Sequence, residues 1–445
     1  MAGQKQADRL AIWMNGERVG SWINSARAQP VLQYETSWLQ SPHARPLSLS
    51  LPFTPGNLPH KGEAVKNFFD NLLPDNAAIR KRLATKFNTN SDDAFDLLNA
   101  IGRDCVGAIQ LLPEQERPEN IFSIGGEALN DAEIERILAN VTYSGPAMQH
   151  DPEENFRISI AGAQEKTALL WHENRWNRPM GATPTTHIFK LPLGNIGNLG
   201  IDLSNSVENE WLCAQILHAF GLPVASCAMK TFGDKKVLIV ERFDRRLSVD
   251  GSWITRLPQE DFCQALGVSP WKKYESNGGP GIESILKVLE NSDMREQDRN
   301  IFYQTQILFW MLGAIDGHAK NFSLFLNAGG SYRLTPFYDV LSAWPYVGKK
   351  AGQLQAKKIK LAMAVRSENT HYRLFEIQRR HWNAMARRCG LGLDAENLIS
   401  GLIEKTPTVI KQVGASLPKN FPNAVAESIF KGLQSAADKL EGMEA

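Results

Sequence analysis

The sequence predicts an α+β chain of three units: a β-rich opening that passes into helices over residues 1–145, an α+β lobe over 146–255, and a largely helical lobe over 256–445. Three observations carry this expectation. A tight-turn signal stands near the N-terminus, apolar runs of strand character recur through the middle, and helical spacing dominates after Asp261.

In chain order, residues 10–14 and 17–22 read as two short strands around Asn15-Gly16, a dipeptide that supplies the positive φ angles of a two-residue hairpin. Leu47-Ser-Leu-Ser-Leu-Pro52 alternates with period two. Residues 64–86 switch to helical spacing with Phe68, Phe69, Leu72 and Leu73 apolar, and a further helix is expected over 92–101. The turn-rich segment 113–152, with an amphipathic helix near 131–139, marks a unit boundary near 145. Beyond it, 158–171 and 186–191 read as strands, 206–220 as a helix stopped by Gly221-Leu-Pro223, and 236–243 as a buried strand. Residues 298–315 form an apolar helix, and amphipathic helical segments follow His371.

Composition narrows the function classes. Lysine and arginine number 49 against 48 acidic residues, so no global field draws the chain to nucleic acid or membrane. Five scattered cysteines without a C-x-x-C pair argue against a disulfide framework or a zinc site. The opening MAGQKQADRL lacks an apolar export core, and no window approaches 18 uninterrupted apolar residues. A soluble cytoplasmic protein is expected.

The sharpest chemical signal is Asp316-Gly-His-Ala-Lys-Asn321, between the long apolar helix and an apolar run. In phosphoryl transfer a carboxylate accepts the proton of the attacking hydroxyl, and an Asn five positions on can hold a cation bridging the nucleotide phosphates. Asp316 and Asn321 have that spacing. Asp339, in Pro336-Phe-Tyr-Asp339, could supply the second oxygen that Mg²⁺ prefers. Singly, Asp316 could cap a helix and Asp339 could sit in a turn. Order raises their weight, because the remaining parts of a kinase site stand upstream in the required sequence. Lys190 ends a strand, where it can reach a phosphate. Glu208 and Glu210 follow on a helix, and Glu210 is the favoured partner for Lys190. The apolar strand ending at Glu241, Arg242 and Phe243 has the character of an adenine-binding hinge, and residues 159–167 form a turn of small residues whose N–H groups could approach phosphates. Neither a Walker A loop nor G-x-G-x-x-G is present, and no H-E-x-x-H or G-x-S-x-G offers a rival chemistry.

Phe156-Arg-Ile-Ser-Ile-Ala-Gly-Ala-Gln-Glu-Lys-Thr167 resembles the phosphate loop of the HipA kinases. Also similar are Arg45-Pro-Leu-Ser-Leu-Ser-Leu-Pro52, Phe68-Phe-Asp-Asn-Leu-Leu-Pro74, Ile101-Gly-Arg-Asp-Cys-Val-Gly107, Glu241-Arg-Phe-Asp-Arg-Arg246, Pro258-Gln-Glu-Asp261, Lys273-Tyr-Glu275 and the Asp316–Asn321 loop. The resemblance implies a two-lobed fold similar to protein kinases and phosphoinositide kinases, behind a family-specific N-terminal α/β domain. It implies a serine/threonine kinase toxin using ATP and Mg²⁺, with glutamyl-tRNA synthetase as substrate, growth arrest as outcome and Ser159 as a self-phosphorylation site. The implied ATP contacts are Ala161, Gly162, Ala163, Gln164, Glu165, Lys166, Lys190, Glu241, Arg242, Phe243, His318, Ala319, Lys320, Asn321, Tyr338 and Asp339. Asn321 and Asp339 would hold Mg²⁺, with Asp316 as base. The implied partner is the HipB antitoxin, with operator DNA in the same assembly, where Arg379 and Arg380 are candidate phosphate contacts. Two alternatives stand beside it: a catalytically idle co-repressor acting only through HipB and DNA, against which intact Asp316, Asn321, Asp339 and Lys190 argue, and a small-molecule phosphotransferase that uses the same Asp and Asn geometry.

Overall fold

The computed structural model describes residues 8–25, 28–141, 159–162, 164–196 and 200–444. The first unit is a five-stranded antiparallel sheet in the order His60–Lys61, Ala28–Tyr34, Glu17–Ser25, Asp8–Met14, Ile109–Pro113. Asn15 and Gly16 take φ of 46° and 90° and close the expected hairpin, with Met14 opposite Glu17. The helix Glu63–Asp70 buries Val65, Phe68 and Phe69, the i, i+3, i+4 stripe of one face. Phe69 stacks on Trp22 with ring centres 4.0 Å apart, which locks this helix to the sheet. The Asn76 side chain accepts from the N–H groups of Ala78 (2.9 Å) and Ile79 (3.2 Å), so the next helix, Ala77–Lys86, starts there. The turn between these two helices, residues 71–75, projects toward the rest of the molecule.

Leu47-Ser-Leu-Ser-Leu-Pro52 is not a strand. Its Leu47 and Leu51 are buried as expected, but Ser48 is buried too, bonded to the Glu260 carboxylate and to the Gln264 carbonyl. Side-chain hydrogen bonding to another unit replaces a ladder, which the alternation could not reveal.

The second unit is a six-stranded antiparallel sheet in the order Cys227–Phe232, Lys235–Glu241, His187–Lys190, Lys166–His172, Arg175–Pro179, Gly126–Ala128. Gly126–Ala128 pairs with Arg175–Pro179, and the helix Asp131–Val141 packs Ile134, Ile137 and Leu138 on Leu169, Phe189 and Val237. Residues 126–141 therefore belong by packing to the second unit, not to the N-terminal side of a break at 145. The opposite face of the sheet receives the helix Ser206–Ala219 through Val207, against Leu238 and Val240.

The largest core lies in the C-terminal part, around the helix Arg295–Leu312, which is buried on most sides. The long helices Glu396–Ala415 and Asn423–Glu441 pack together and against it. A small sheet of Gln259–Asp261, Ser323–Leu326 and Tyr332–Leu334 stands between this core and the second unit. The fold is thus α+β, as the sequence predicts. Among the described residues no helix is long and apolar enough to cross a membrane.

Candidate active site

The Arg295–Leu312 helix stops at Gly313, whose φ of 60° turns the chain outward. The exposed Asp316 follows, then the one-turn helix Ala319–Asn321 and the buried strand Ser323–Leu326. The Asn321 side-chain nitrogen donates to the backbone carbonyls of Asp316 (3.2 Å) and Asp339 (3.3 Å). That amide ties both acidic residues to one point and leaves its own oxygen for a cation. Asp339 sits at φ 62°, a left-handed backbone held by its surroundings at a candidate metal residue.

Lys190 stands opposite Leu238 across the sheet, and residues directly opposite share a face. Leu238 packs under the Ser206–Ala219 helix, so Lys190 points at that helix as well. Its ammonium lies 2.6 Å from Glu210 Oε1 and 2.7 Å from Asp339 Oδ1. The choice of Glu210 over Glu208 agrees with this geometry, since Glu208 pairs with Lys236. Burial alone would lower the pKa of Lys190, but Asp339 and Glu210 outweigh it and hold the ammonium well above the ordinary lysine value. Burial likewise works against ionised Asp339, yet Lys190 and Lys166 hold its carboxyl well below the usual range. For Glu210 burial prevails over the pull of Lys190, and its carboxyl is pushed up.

In the expected phosphate loop Gly162 has φ of 113°, and the Lys166 ammonium donates to the Ala161 carbonyl at 2.5 Å. Burial, then the charge of Lys190, lower Lys166 to about 8. The Gln164 amide holds the Leu191 carbonyl at 2.5 Å, while Glu165 turns to Arg82 in an ion pair. Ala163 lies outside the described residues. The Ser159 side chain is fully buried, its hydroxyl donating to the Leu72 carbonyl at 2.7 Å and its N–H to the Asp104 carbonyl at 3.1 Å.

At the expected hinge the N–H groups of Glu241 and Arg242 are taken by Ser226 and Thr186. The Arg242 guanidinium is buried with Arg245 and Arg256 against Asp104 and Asp244, so Arg242 can offer a nucleotide only its backbone. Burial opposes ionisation of Asp104, but Arg245, Arg242 and Arg256 hold its carboxyl well below the ordinary range. This cluster clamps the hinge to the first unit. Phe243 and Tyr338 place their rings 5.7 Å apart on the cleft wall, and the Tyr338 hydroxyl donates to the Lys320 carbonyl at 3.0 Å.

One cleft, enclosing about 1280 Å³ with its open mouth, brings together Ala161, Gly162, Gln164, Lys166, Lys190, residues 241–243, Asp316, His318, Lys320, Asn321, Tyr338 and Asp339. Glu165 is turned away, and Ala319 is fully buried, so neither lines it. Lys320 lines the wall, but its ammonium is taken by Asn71 (2.8 and 3.0 Å) and Asp261 (2.7 Å). His318 is buried, with no hydrogen-bond partner at Nδ1 among the described residues, and burial lowers its pKa. A buried unpaired nitrogen on a cleft wall suits a polar ligand. Asn321 and Asp339 offer an amide and a carboxylate oxygen, the hard donors that suit Mg²⁺.

Sequence reasoning gave no role to Asn71, Asp75, Lys273 and Tyr274, all at or beside this cleft. Asn71 lies in the Phe68–Pro74 motif and Lys273 and Tyr274 in Lys273-Tyr-Glu275, whereas Asp75 stands just outside both. Arg379, a candidate DNA contact, has its guanidinium bonded to Glu396 and to the Leu440 carbonyl, whereas Arg380 is exposed.

Two family models match the chain: the HipA N-terminal domain over residues 10–112 and the HipA-like C-terminal domain over 158–411. The putative kinase Y4mE of Sinorhizobium fredii is 30% identical, with 91% of each chain covered. The serine/threonine-protein kinase toxin HipA of Shewanella oneidensis is 29% identical over 90% of this chain and 84% of its own. A solved HipA structure from that organism, in complex with HipB and operator DNA, matches with a TM-score of 0.77 at 25% identity and 97% coverage of both chains. The two matched domains span most of the chain and carry every residue of the cleft described above, and the protein belongs to the HipA family.

Proposed function

We propose that this protein is an ATP-dependent serine/threonine protein kinase acting as the toxin of a toxin-antitoxin pair in the cytoplasm. The observation that carries the proposal is the convergence of Asp316, Asn321, Asp339 and the Lys190–Glu210 pair on one cleft. Asp316 takes the proton of the substrate hydroxyl as that oxygen bonds to the γ-phosphorus, and the bond from the γ-phosphorus to the bridging oxygen breaks, releasing ADP. Lys190 and the N–H groups around Gly162 neutralise phosphate oxygens, and Glu210 keeps Lys190 extended toward them. Asn321 and Asp339 would hold Mg²⁺, whose contribution when bound is to offset charge on the transferring group.

The proposed substrate is a serine of glutamyl-tRNA synthetase, by family resemblance, with arrest of translation as the consequence. Ser159 is the proposed self-phosphorylation site. A phosphate there would set its acceptor oxygens against the Leu72 carbonyl, so the loop would leave its buried position and ATP would lose one side of its site. The proposed partners are HipB and, within that assembly, operator DNA, in keeping with the complex from which the Shewanella relative was solved. Arg380 is the better candidate for a DNA phosphate, since Arg379 is occupied.

The test is incubation with γ-labelled Mg-ATP, with and without purified glutamyl-tRNA synthetase, followed by phosphosite mapping. Label on a synthetase serine and on Ser159 is the expected result. Label on Ser159 alone removes the synthetase from the proposal, and no label on either removes the kinase.

A further inference from the structure

The exposed carboxylate of Asp316 would turn freely about its side-chain bonds unless something fixed it. Tyr274 fixes it: the phenol donates to Asp316 Oδ1 at 2.6 Å. Burial and the charge of Asp316 push the Tyr274 hydroxyl well above its ordinary value, so it stays a donor.

Tyr274 is itself held from several directions. Its ring meets the His318 ring edge-on at 5.1 Å. The Lys273 ammonium lies 5.3 Å from the centre of that ring and 2.7 Å from Asp75 Oδ2, and Asp75 belongs to the 71–75 turn of the first unit. On the other side Glu275 accepts from the Ala364 N–H at 2.6 Å and from Arg366 at 2.5 Å. The Asp75 carboxylate is 2% exposed and the Lys273 side chain 14%, so their ion pair is well shielded from solvent. A short relay thus runs from the first unit to the catalytic loop.

We propose that Tyr274 is the positioning residue of the Asp316 base, and that Asp75 sets it from the N-terminal unit through Lys273. The inference rests on the proposed kinase function. The Tyr274 bond occupies one carboxylate oxygen and leaves the other aimed at the substrate hydroxyl. The first unit thereby completes the active site in cis, with Asn71 of the same turn holding Lys320 of the catalytic loop.

The test uses the full chain with Mg-ATP and glutamyl-tRNA synthetase, comparing wild type, Tyr274→Phe, Asp75→Asn and the double variant. Tyr274→Phe removes only the hydroxyl and should lower kcat by roughly 10- to 100-fold, as loss of alignment does, with KM for ATP within about twofold and the melting temperature little changed. Asp75→Asn should act in the same direction, and the double variant should be scarcely slower than Tyr274→Phe, because both act on one oxygen. Wild-type kcat in Tyr274→Phe, or a loss confined to KM or to melting temperature, overturns the proposal. Additive losses in the double variant overturn the role of Asp75. A wild type that labels neither the synthetase nor itself instead removes the kinase reading beneath it.

Discussion

Lys190 and Glu210 form a 2.6 Å ion pair whose side chains are 7% and 6% exposed, and the same ammonium reaches Asp339. A strand, a helix and the loop that carries Asp339, from separate parts of the sequence, meet on this one cation. Removing the cation leaves the buried Glu210 carboxylate facing Asp339, whose side chain is 33% exposed. Lys190→Met should therefore cost roughly 3–5 kcal/mol of folding stability and abolish phosphate transfer. Chemical denaturation and transfer assays read the two effects, and a stable, inactive variant would show that the pair contributes to chemistry alone.

The Asn321 nitrogen ties Asp316 to Asp339, while its oxygen accepts no hydrogen bond among the described residues and would hold the proposed cation. Asn321→Ala should raise the Mg²⁺ concentration for half-maximal activity by at least roughly 10-fold. Titration of activity with Mg²⁺ at saturating ATP measures this. An unchanged requirement would place the metal elsewhere.

Glu260 is fully buried, accepts from Ser48 and from the Leu49 N–H at 2.9 Å, and is pushed up by burial to about 8. A folded-state pKa above the unfolded value gives stability that is present below the unfolded pKa of about 4.3 and lost as pH rises through 8. Urea denaturation at pH 5, 6.5 and 8 should show wild type losing on the order of a few kcal/mol over that window relative to Glu260→Gln. Parallel curves for the two proteins would contradict the assignment.

Ser159 gives its hydroxyl to the Leu72 carbonyl. Ser159→Asp sets an acceptor against an acceptor and should weaken ATP binding by at least roughly tenfold, the consequence of about 1–3 kcal/mol of unmet polar contact. Ser159→Ala should bind ATP as wild type does and lose the self-label. Calorimetry with an ATP analogue distinguishes them, and equal affinities for both variants would detach loop position from nucleotide binding.

The sequence showed the hairpin at Asn15-Gly16, the helix ended by Gly221, and the order of Lys190, Glu210, Asp316, Asn321 and Asp339, because turn chemistry and chain order are local. It did not show which unit Gly126–Ala128 joins, since strand pairing across 49 residues leaves no local trace. The same limit hid Tyr274. Its role depends on an oxygen 42 residues away, and nothing in Lys273-Tyr-Glu275 distinguishes a positioning phenol from a packed one. Lys320 shows the opposite case: the resemblance implied an ATP contact, but Asn71 of the first unit and Asp261 of its own unit occupy the ammonium. The alternation over 47–52 misled because a buried serine hydroxyl can substitute for a ladder partner.

Asp316 is the proposed base of a phosphoryl transfer at this cleft. Its most direct test compares wild type and Asp316→Ala for transfer of labelled γ-phosphate from Mg-ATP, with ATP affinity measured on the same preparations. Asp316→Ala should keep wild-type-like nucleotide affinity while transfer falls by at least roughly 100-fold. Transfer at the wild-type rate in Asp316→Ala would contradict it.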